Sequence, residues 1–303
     1  MTLSGLHILL TYKCTLECDH CFAFGSPRQE GVLSFRRIET LLEQAIDLGT
    51  IESVYFEGGE PFLYYNTLVR AVERASRLGF DVGIVSNGYW AVDVGDAVAW
   101  LEPFAGRLKD LSLSCDDYHG RENHEALVAN AQIAADYWQI PNSLIAVAQP
   151  EDSSAATARG TIPSGESRVI YRGRAAEALA DRAGYRPSEE FTSCSCENLR
   201  DPGRVHVDPF GEVQICQGIS IGNVFETSLP VLVREYEPDL DPIVGPLLRG
   251  GPASLARNYG VEHEQEYADA CHFCFETRKV LRSEFPDVLK PDEVYGESPG
   301  KAE

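Results

Sequence analysis

A chain of 303 residues with 44% apolar content can bury one large α/β domain and a smaller one beside it. Its 47 acidic against 26 basic residues give a formal net charge of −21, which repels polyanions and excludes nucleic acid as an expected substrate; the acidity itself reads as solubility or salt adaptation. No run of about 18 apolar residues occurs, and no basic stretch precedes an apolar core at the amino terminus, so neither a membrane span nor a secretory signal is expected and the expected compartment is the cytoplasm.

Leu6–Thr11 is a short apolar run that predicts a buried first strand, and it leads directly to Cys14, Cys18 and Cys21. Ser34 caps a predicted helix in which Ile38, Leu41, Leu42, Ala45 and Ile46 recur at helical spacing, and Gly49 stops it. Strand Ile51–Phe56 then runs into Gly58, Gly59, Glu60 and Pro61. The plan repeats: Leu68, Val69, Val72, Ala75 and Leu78 mark a second helix ended by Gly79, and Phe80–Val85 a strand ending at Ser86, Asn87 and Gly88. A helix over 92–104, a strand over Leu111–Cys115 followed by Asp116, Asp117, Tyr118 and His119, a helix over 122–138 and a strand over Ser143–Ala148 continue it. Glu151–Glu166 is polar and rich in small residues and reads as a mobile loop. Val169–Tyr171 predicts a sixth strand, and residues 174–182 a short Ala-rich helix.

Strands alternating with helices predict βαβ units, a parallel sheet and right-handed crossovers, with ligands at the carboxyl ends of the strands. The cysteine loop, Gly58–Glu60, Ser86–Gly88 and Cys115–His119 all fall at such ends. The alternation stops near Tyr185. The expected division is therefore a core over 1–185, a small second domain over 186–285, and a polar, partly disordered tail over 286–303. The second domain holds Cys194, Cys196, a strand pair around Arg204–Ile215 turned by Asp208-Pro209-Phe210-Gly211, Cys216, and Cys271-His272-Phe273-Cys274.

Of nine cysteines, three crowd one loop and most of the others cluster late, in a chain without an export signal, which points to metal or cluster ligation rather than disulfides. Three thiolates are one short of a closed tetrahedral site, so Cys14, Cys18 and Cys21 either have a distant partner or leave one position open. Gly58 and Gly59 let backbone approach a ligand, and Glu60 offers a free carboxylate to an ammonium; the alternative is a plain Gly-rich turn. Ser86 and Asn87 are either donors to a ligand or a turn. Asp116 is read as an acceptor for hydroxyl groups and Asp117 as the cap of the next helix. Cys115 reads as a small buried hydrophobe and His119 as a helix-start residue with no visible partner. Arg172 and Arg174 either offer guanidinium groups to a carboxylate or begin a helix in solvent.

The octet Cys14-Thr15-Leu16-Glu17-Cys18-Asp19-His20-Cys21, with Gly58-Gly59-Glu60-Pro61 after it, resembles the radical S-adenosylmethionine (radical SAM) family. The resemblance covers about residues 6–180 for the core and 190–280 for an extension. It implies an α/β fold, a partial (β/α)6 TIM-like barrel with a small C-terminal iron–sulfur domain. It also implies that Cys14, Cys18 and Cys21 hold a 4Fe-4S cluster whose remaining iron S-adenosylmethionine chelates. His20 stands where the family has a ring residue, and Gly58, Gly59 and Glu60 match the segment that contacts the methionine amino group; Ser86, Asn87 and Asp116 join them as the expected cofactor-binding residues. The family's glycine-containing pattern on the fifth strand is absent. The late cysteines, Cys196, Cys216, Cys271 and Cys274, resemble the ligands of a twitch or SPASM extension and imply one auxiliary 4Fe-4S cluster, with Cys194 as a substitute for Cys196 and a structural zinc as the alternative occupant.

What the resemblance implies for function is reductive cleavage of S-adenosylmethionine to a 5'-deoxyadenosyl radical, with hydrogen abstraction from a peptide or protein side chain. A small metabolite is the alternative substrate, and a reducing partner such as flavodoxin or ferredoxin is implied. The short segment before the first strand is expected to hold no leader-binding domain, so a peptide is expected to need a partner protein or the barrel itself. A reading of another class is a non-catalytic iron–sulfur electron carrier or a zinc-stabilised binding module.

Overall fold

The computed structural model describes residues 1–120, 123–152 and 165–297. The expected helix start at Glu122 and residues 153–164 of the expected polar loop lie outside the described residues, as do 298–303. Strands β1 (Gly5–Thr11), β2 (Ser53–Gly58), β3 (Asp81–Ser86), β4 (Leu108–Ser114), β5 (Asn142–Val147) and β6 (Gly165–Ser167) pair in that order, each parallel to the next. Between them lie α1 (Phe35–Leu48), α2 (Tyr65–Arg77), α3 (Val94–Leu101) and α4 (His124–Tyr137).

Local chemistry explains these elements. Ser34 accepts from the Arg37 amide to start α1, and Gly49, at φ 75°, ends it with its N–H on the Ala45 carbonyl. Ile38, Leu41, Leu42 and Ala45 are buried, whereas Ile46, counted in the same stripe by spacing, is exposed. α2 buries Leu68, Ala71, Val72 and Ala75. Removing each larger aliphatic side chain from water contributes about 1.5–3 kcal/mol, which fixes the helices on the outer face of the sheet.

The inner face is different. One cavity is lined by residues from β1, β2, β3, β4, β5 and β6 together, so the sheet curves around it, and β6 does not pair back to β1: this is a barrel left open. The α/β class and the parallel partial barrel read from the sequence are the architecture observed. The sixth strand lies earlier than expected, at Gly165–Ser167, because it is the backbone of 165–167 that meets Ile145–Val147. Val169 and Tyr171 instead join Ala175, Leu179 and Ala180 in a small apolar cluster under α5 (Arg174–Ala178).

Beyond α5, β7 (Arg186–Pro187) pairs with β11 (Glu266–Tyr267) as a separate ribbon. β8 (Arg204–Val207), β9 (Glu212–Cys216) and β10 (Ile219–Asn223) form an antiparallel meander that adds to the barrel's own sheet, with β8 parallel to β1 and His206 opposite His7. Helices α6 (Leu229–Glu235), α7 (Val244–Tyr259) and α8 (Ala270–Leu281) complete the chain. The stretch expected as a polar tail packs instead of fraying as far as residue 297: Leu289, Val294 and Tyr295 are buried, and the Tyr295 hydroxyl donates to the Gly218 carbonyl at 2.6 Å. Among the described residues no helix is long and apolar enough to cross a membrane.

Candidate active site

The cysteine loop leaves the carboxyl end of β1 and is held by its own backbone: Cys14 N–H donates to the Ser26 carbonyl at 3.0 Å and Cys21 N–H to the Cys18 carbonyl at 3.1 Å. Two of its sulfurs accept amide hydrogens, Cys14 from Leu16 at 3.4 Å and Cys21 from Gly25 at 3.3 Å. The loop is also clamped from a distant segment. Arg174 donates to the Cys18 carbonyl at 2.7 Å and to the Gly25 carbonyl at 2.9 Å, and its own N–H donates to the Cys21 carbonyl. Gly173, at φ 61°, passes so near that a Cβ there would lie 2.5 Å from the Phe22 carbonyl oxygen. Arg174 therefore braces the loop rather than waiting for a substrate carboxylate.

The glycines after β2 serve the same loop. A Cβ on Gly59 would sit 2.1 Å from the Lys13 carbonyl oxygen, and one on Gly58, already at φ 129°, 2.4 Å from that of Thr11. Both also line the cavity. The free carboxylate expected of Glu60 is not found. It is fully buried and accepts from the Ser86 hydroxyl at 3.0 Å, the Asn87 amide at 2.8 Å and the Phe62 amide at 3.0 Å. Burial nevertheless pushes its carboxyl up to about 7, the hydrogen bonds opposing. Glu60 ties the exit of β2 to the exit of β3, and Ser86 is engaged in that tie.

Asn87 does reach the cysteine loop. Its amide nitrogen lies 3.6 Å from Cys14 Sγ and 3.1 Å from Thr15 Oγ1, and the residue lines the cavity. Asp116 lines it too, yet it, not Asp117, caps the short helical turn after β4, accepting from the Tyr118 amide at 3.1 Å. Its other partners are the Val147 amide at 3.1 Å and His119, whose Nδ1 is 2.6 Å away. Although desolvation works against it, these contacts hold the Asp116 carboxyl below its usual range. The expectation that His119 lacks a partner is thus corrected: three residues of separation across a turn bring it onto Asp116, and its ring stacks on His124 at 5.0 Å. His20 sits 3.7 Å from Asp116 with its ring tilted against Tyr118, and burial pulls its imidazole down to about 4.

The cavity measures about 400 Å³, a size that holds a cofactor-sized ligand. Its floor is polar in a way the sequence hid. His7 lies inside the apolar run that marks β1, and only the register, which sets it beside Tyr55 on β2 and His206 on β8, shows that it faces inward. Glu57 approaches both imidazoles, at 3.3 Å from His7 Nδ1 and 3.1 Å from His206 Nε2. Desolvation opposes ionisation of Glu57, but the two histidines outweigh it and hold the carboxyl far below its usual range; burial lowers His206. Arg172 and Arg204, which also line the cavity, pair with Glu197 at 3.3 and 3.1 Å.

Arg172 also marks the way to the second group of cysteines. Cys194, Cys196, Cys216, Cys271 and Cys274 all border one small pocket, with the buried guanidinium of Arg278 and the partly buried one of Arg172 beside them. Cys271 donates to Cys196 across 3.4 Å, and this bond draws the Cys196 thiol below its usual range although burial opposes it. Cys196 faces the large cavity as well, whereas Cys194 does not line it. Cys115, read as a buried hydrophobe, is half-buried beside the main core.

The donor chemistry at the first loop fits a metal cluster. Burial, with Glu60 nearby, pushes the Cys14 thiol up to about 12 and that of Cys18 higher still, so thiolates form there only against a positive charge such as iron supplies. Residues 8–121 match the family model of the Radical SAM superfamily. That segment is a radical SAM domain. It contains Cys14, Cys18, Cys21, Glu60, Asn87 and Asp116 and ends before the second group of cysteines.

Curated relatives of the radical SAM domain include the putative peptide biosynthesis protein YydG of Bacillus subtilis (strain 168), 27% identical over 113 residues, which are 37% of this chain and 35% of the relative. A probable GTP 3',8-cyclase of Methanothermobacter thermautotrophicus is 37% identical over 85 residues, 28% of this chain and 27% of its own length. The chain thus spans about a third of these relatives or less. Among solved structures, that of BtrN in complex with AdoMet and 2-DOIA aligns over 77% of this chain and 82% of its own at 14% identity, with a TM-score of 0.48.

Proposed function

We propose that this protein reductively cleaves S-adenosylmethionine and uses the product radical to take a hydrogen atom from a peptide or protein side chain. The observation that carries the reading is the placement of Cys14, Cys18 and Cys21 on the rim of a cavity of about 400 Å³ whose walls are strand ends of an open parallel barrel. Those sulfurs would hold a 4Fe-4S cluster, which with S-adenosylmethionine would supply one-electron reduction and a 5'-deoxyadenosyl radical. The chain's residues do the rest. Asn87, poised over Cys14, and Asp116 orient the cofactor's polar groups; Gly58 and Gly59 leave space at the rim; the enclosed walls exclude water and hold the reacting carbon close. A peptide substrate is supported by the likeness to YydG. A small metabolite is the second reading, favoured by the likeness to a GTP cyclase.

We assign Cys196, Cys216, Cys271 and Cys274 to an auxiliary 4Fe-4S site, supported by the guanidiniums of buried Arg278 and partly buried Arg172, which offset its thiolates. The electron comes from a reducing partner of the flavodoxin or ferredoxin kind. The test is anaerobic reconstitution with iron and sulfide. About eight irons per chain are expected, falling to about four in a Cys14, Cys18, Cys21 triple alanine variant, and dithionite-dependent 5'-deoxyadenosine only from the intact protein. Deuterium passing from a labelled peptide into 5'-deoxyadenosine supports the peptide reading, and transfer from a small metabolite alone overturns it. Zinc at both sites without deoxyadenosine overturns the whole.

A further inference from the structure

We propose that His7, Glu57 and His206 form a binding site for a divalent transition-metal cation on the cavity floor, separate from the cysteine sites. The topology builds it. Parallel pairing of β8 with β1 sets His206 opposite His7, and β2 on the other side brings Glu57 two residues beyond Tyr55, His7's partner, on the same face. One carboxylate oxygen, Glu57 Oε1, is 3.3 Å from His7 Nδ1 and 3.1 Å from His206 Nε2, and all three candidate ligand atoms lie within 4.8 Å of one another. An ion with ligand distances of about 2.0–2.2 Å in tetrahedral geometry spaces its ligands about 3.3–3.6 Å apart, close to both approaches of Glu57 Oε1.

The approach is close, but its geometry is not that of a good hydrogen bond. His7 Nδ1 and Glu57 Oε1 are both buried and have no hydrogen-bond partner among the described residues, although they are neighbours. Buried polar atoms without partners are costly, and a shared cation satisfies both. The neighbouring guanidiniums of Arg172 and Arg204 pair with another carboxylate, Glu197. The Tyr55 ring stacks on His7 at 5.0 Å and holds the imidazole plane.

Two imidazoles and one carboxylate suit zinc, iron(II) or cobalt(II) and leave coordination positions open. All three residues line the cavity, so those positions face the space a substrate enters. An oxygen of a substrate carbonyl, carboxylate or hydroxyl completes the shell and is thereby fixed at a set depth. This site does not depend on the radical reading, and its test needs no turnover.

Untagged protein with its cysteine sites loaded with iron is dialysed against Co²⁺, and cobalt and iron per chain are counted. A single cobalt is expected with iron unchanged, and binding weakens at least about tenfold in Glu57→Gln and in His206→Ala while His119→Ala binds as before. Glu57→Gln keeps the side chain's size, so it decides the matter if His206→Ala does not fold. Absence of bound cobalt in the unaltered protein, or binding that Glu57→Gln leaves intact, overturns the proposal. Loss in His119→Ala alone also overturns it, by moving the ion to the cluster of His20, Asp116 and His119.

Discussion

The guanidinium of Arg174 donates to the carbonyl of Cys18 at 2.7 Å, joining the first residue of α5 to a loop 156 residues earlier. The cysteine loop is therefore fixed from outside its own strand. Hydrogen bonds from a charged donor contribute about 1.5–3 kcal/mol each. Arg174→Ala should speed loss of iron from the first site at least about tenfold, followed by the decay of cluster absorbance in air, with the second site unaffected. Arg174→Lys should restore only part of this, because one ammonium cannot span the Cys18 and Gly25 carbonyls as the fork does. Equal decay in all three proteins would refute the brace.

Gly59 allows no side chain. Its Cβ would meet the Lys13 carbonyl at 2.1 Å, and that carbonyl also accepts the Glu60 amide at 2.9 Å. Gly59→Ala should cost about 3 kcal/mol or more and leave roughly half the iron of the unaltered protein, whereas Gly79→Ala, with nothing within 4 Å of its Cβ, strains only a φ of 93° at the end of α2 and should keep full iron.

Asn87 touches the cysteine loop from β3 without ligating anything. Asn87→Ala should raise the Kd for S-adenosylmethionine about tenfold by the loss of one or two buried hydrogen bonds, with iron per chain unchanged. The perturbation of the reduced cluster's magnetic resonance spectrum by S-adenosylmethionine measures this directly. Loss of iron instead would make Asn87 part of the loop's scaffold.

Glu293 gives stability a pH dependence. Burial, reinforced by Asp208 and Asp292, raises its carboxyl from 4.5 to about 7. A raised folded-state value means the contribution is full below 4.5 and lost as pH climbs through 7, because the unfolded chain releases the proton first. Glu293→Gln, which cannot ionise, should melt at a higher temperature than the unaltered protein at pH 8.5 and within a degree or two of it at pH 4.5, a difference of about 1–3 kcal/mol at the alkaline end. The same difference at both values would rule out ionisation as the cause.

The two late cysteines separated by a single serine should behave differently. Cys196 is bonded to Cys271 and faces the cavity, so Cys196→Ala should lose about four irons and Cys194→Ala few. The reverse pattern would give the ligand position to Cys194.

Much of the barrel was legible because helix stops and strand ends announce themselves: Ser34, Gly49 and Gly79 mark their boundaries, and the helices of the core differ from expectation by a few residues. The placement of the cysteine loop and of Asn87 at strand ends was legible for the same reason, both being local motifs. What escaped depends on pairing between distant segments. Nothing near His7 shows that it faces inward, since β8 joins β1 across nearly two hundred residues. Glu60 was misread because its donors, Ser86 and Asn87, come from the next strand. His119 lacked a visible partner only because its partner is three residues back, through a turn whose geometry is not encoded in spacing alone.

The parallel pairing of β8 with β1 has a consequence for the order in which the chain assembles during synthesis. β1 borders β2 on one side within the first sixty residues, but its other edge waits for Arg204–Val207. At about 5–20 residues per second that edge stays bare for roughly 10–40 s on the ribosome. An unpaired, apolar first strand is a template for wrong partners. The floor of the cavity, with His206 on it, closes only after most of the protein exists, and a nascent chain stopped short of residue 204 should aggregate where the full chain does not.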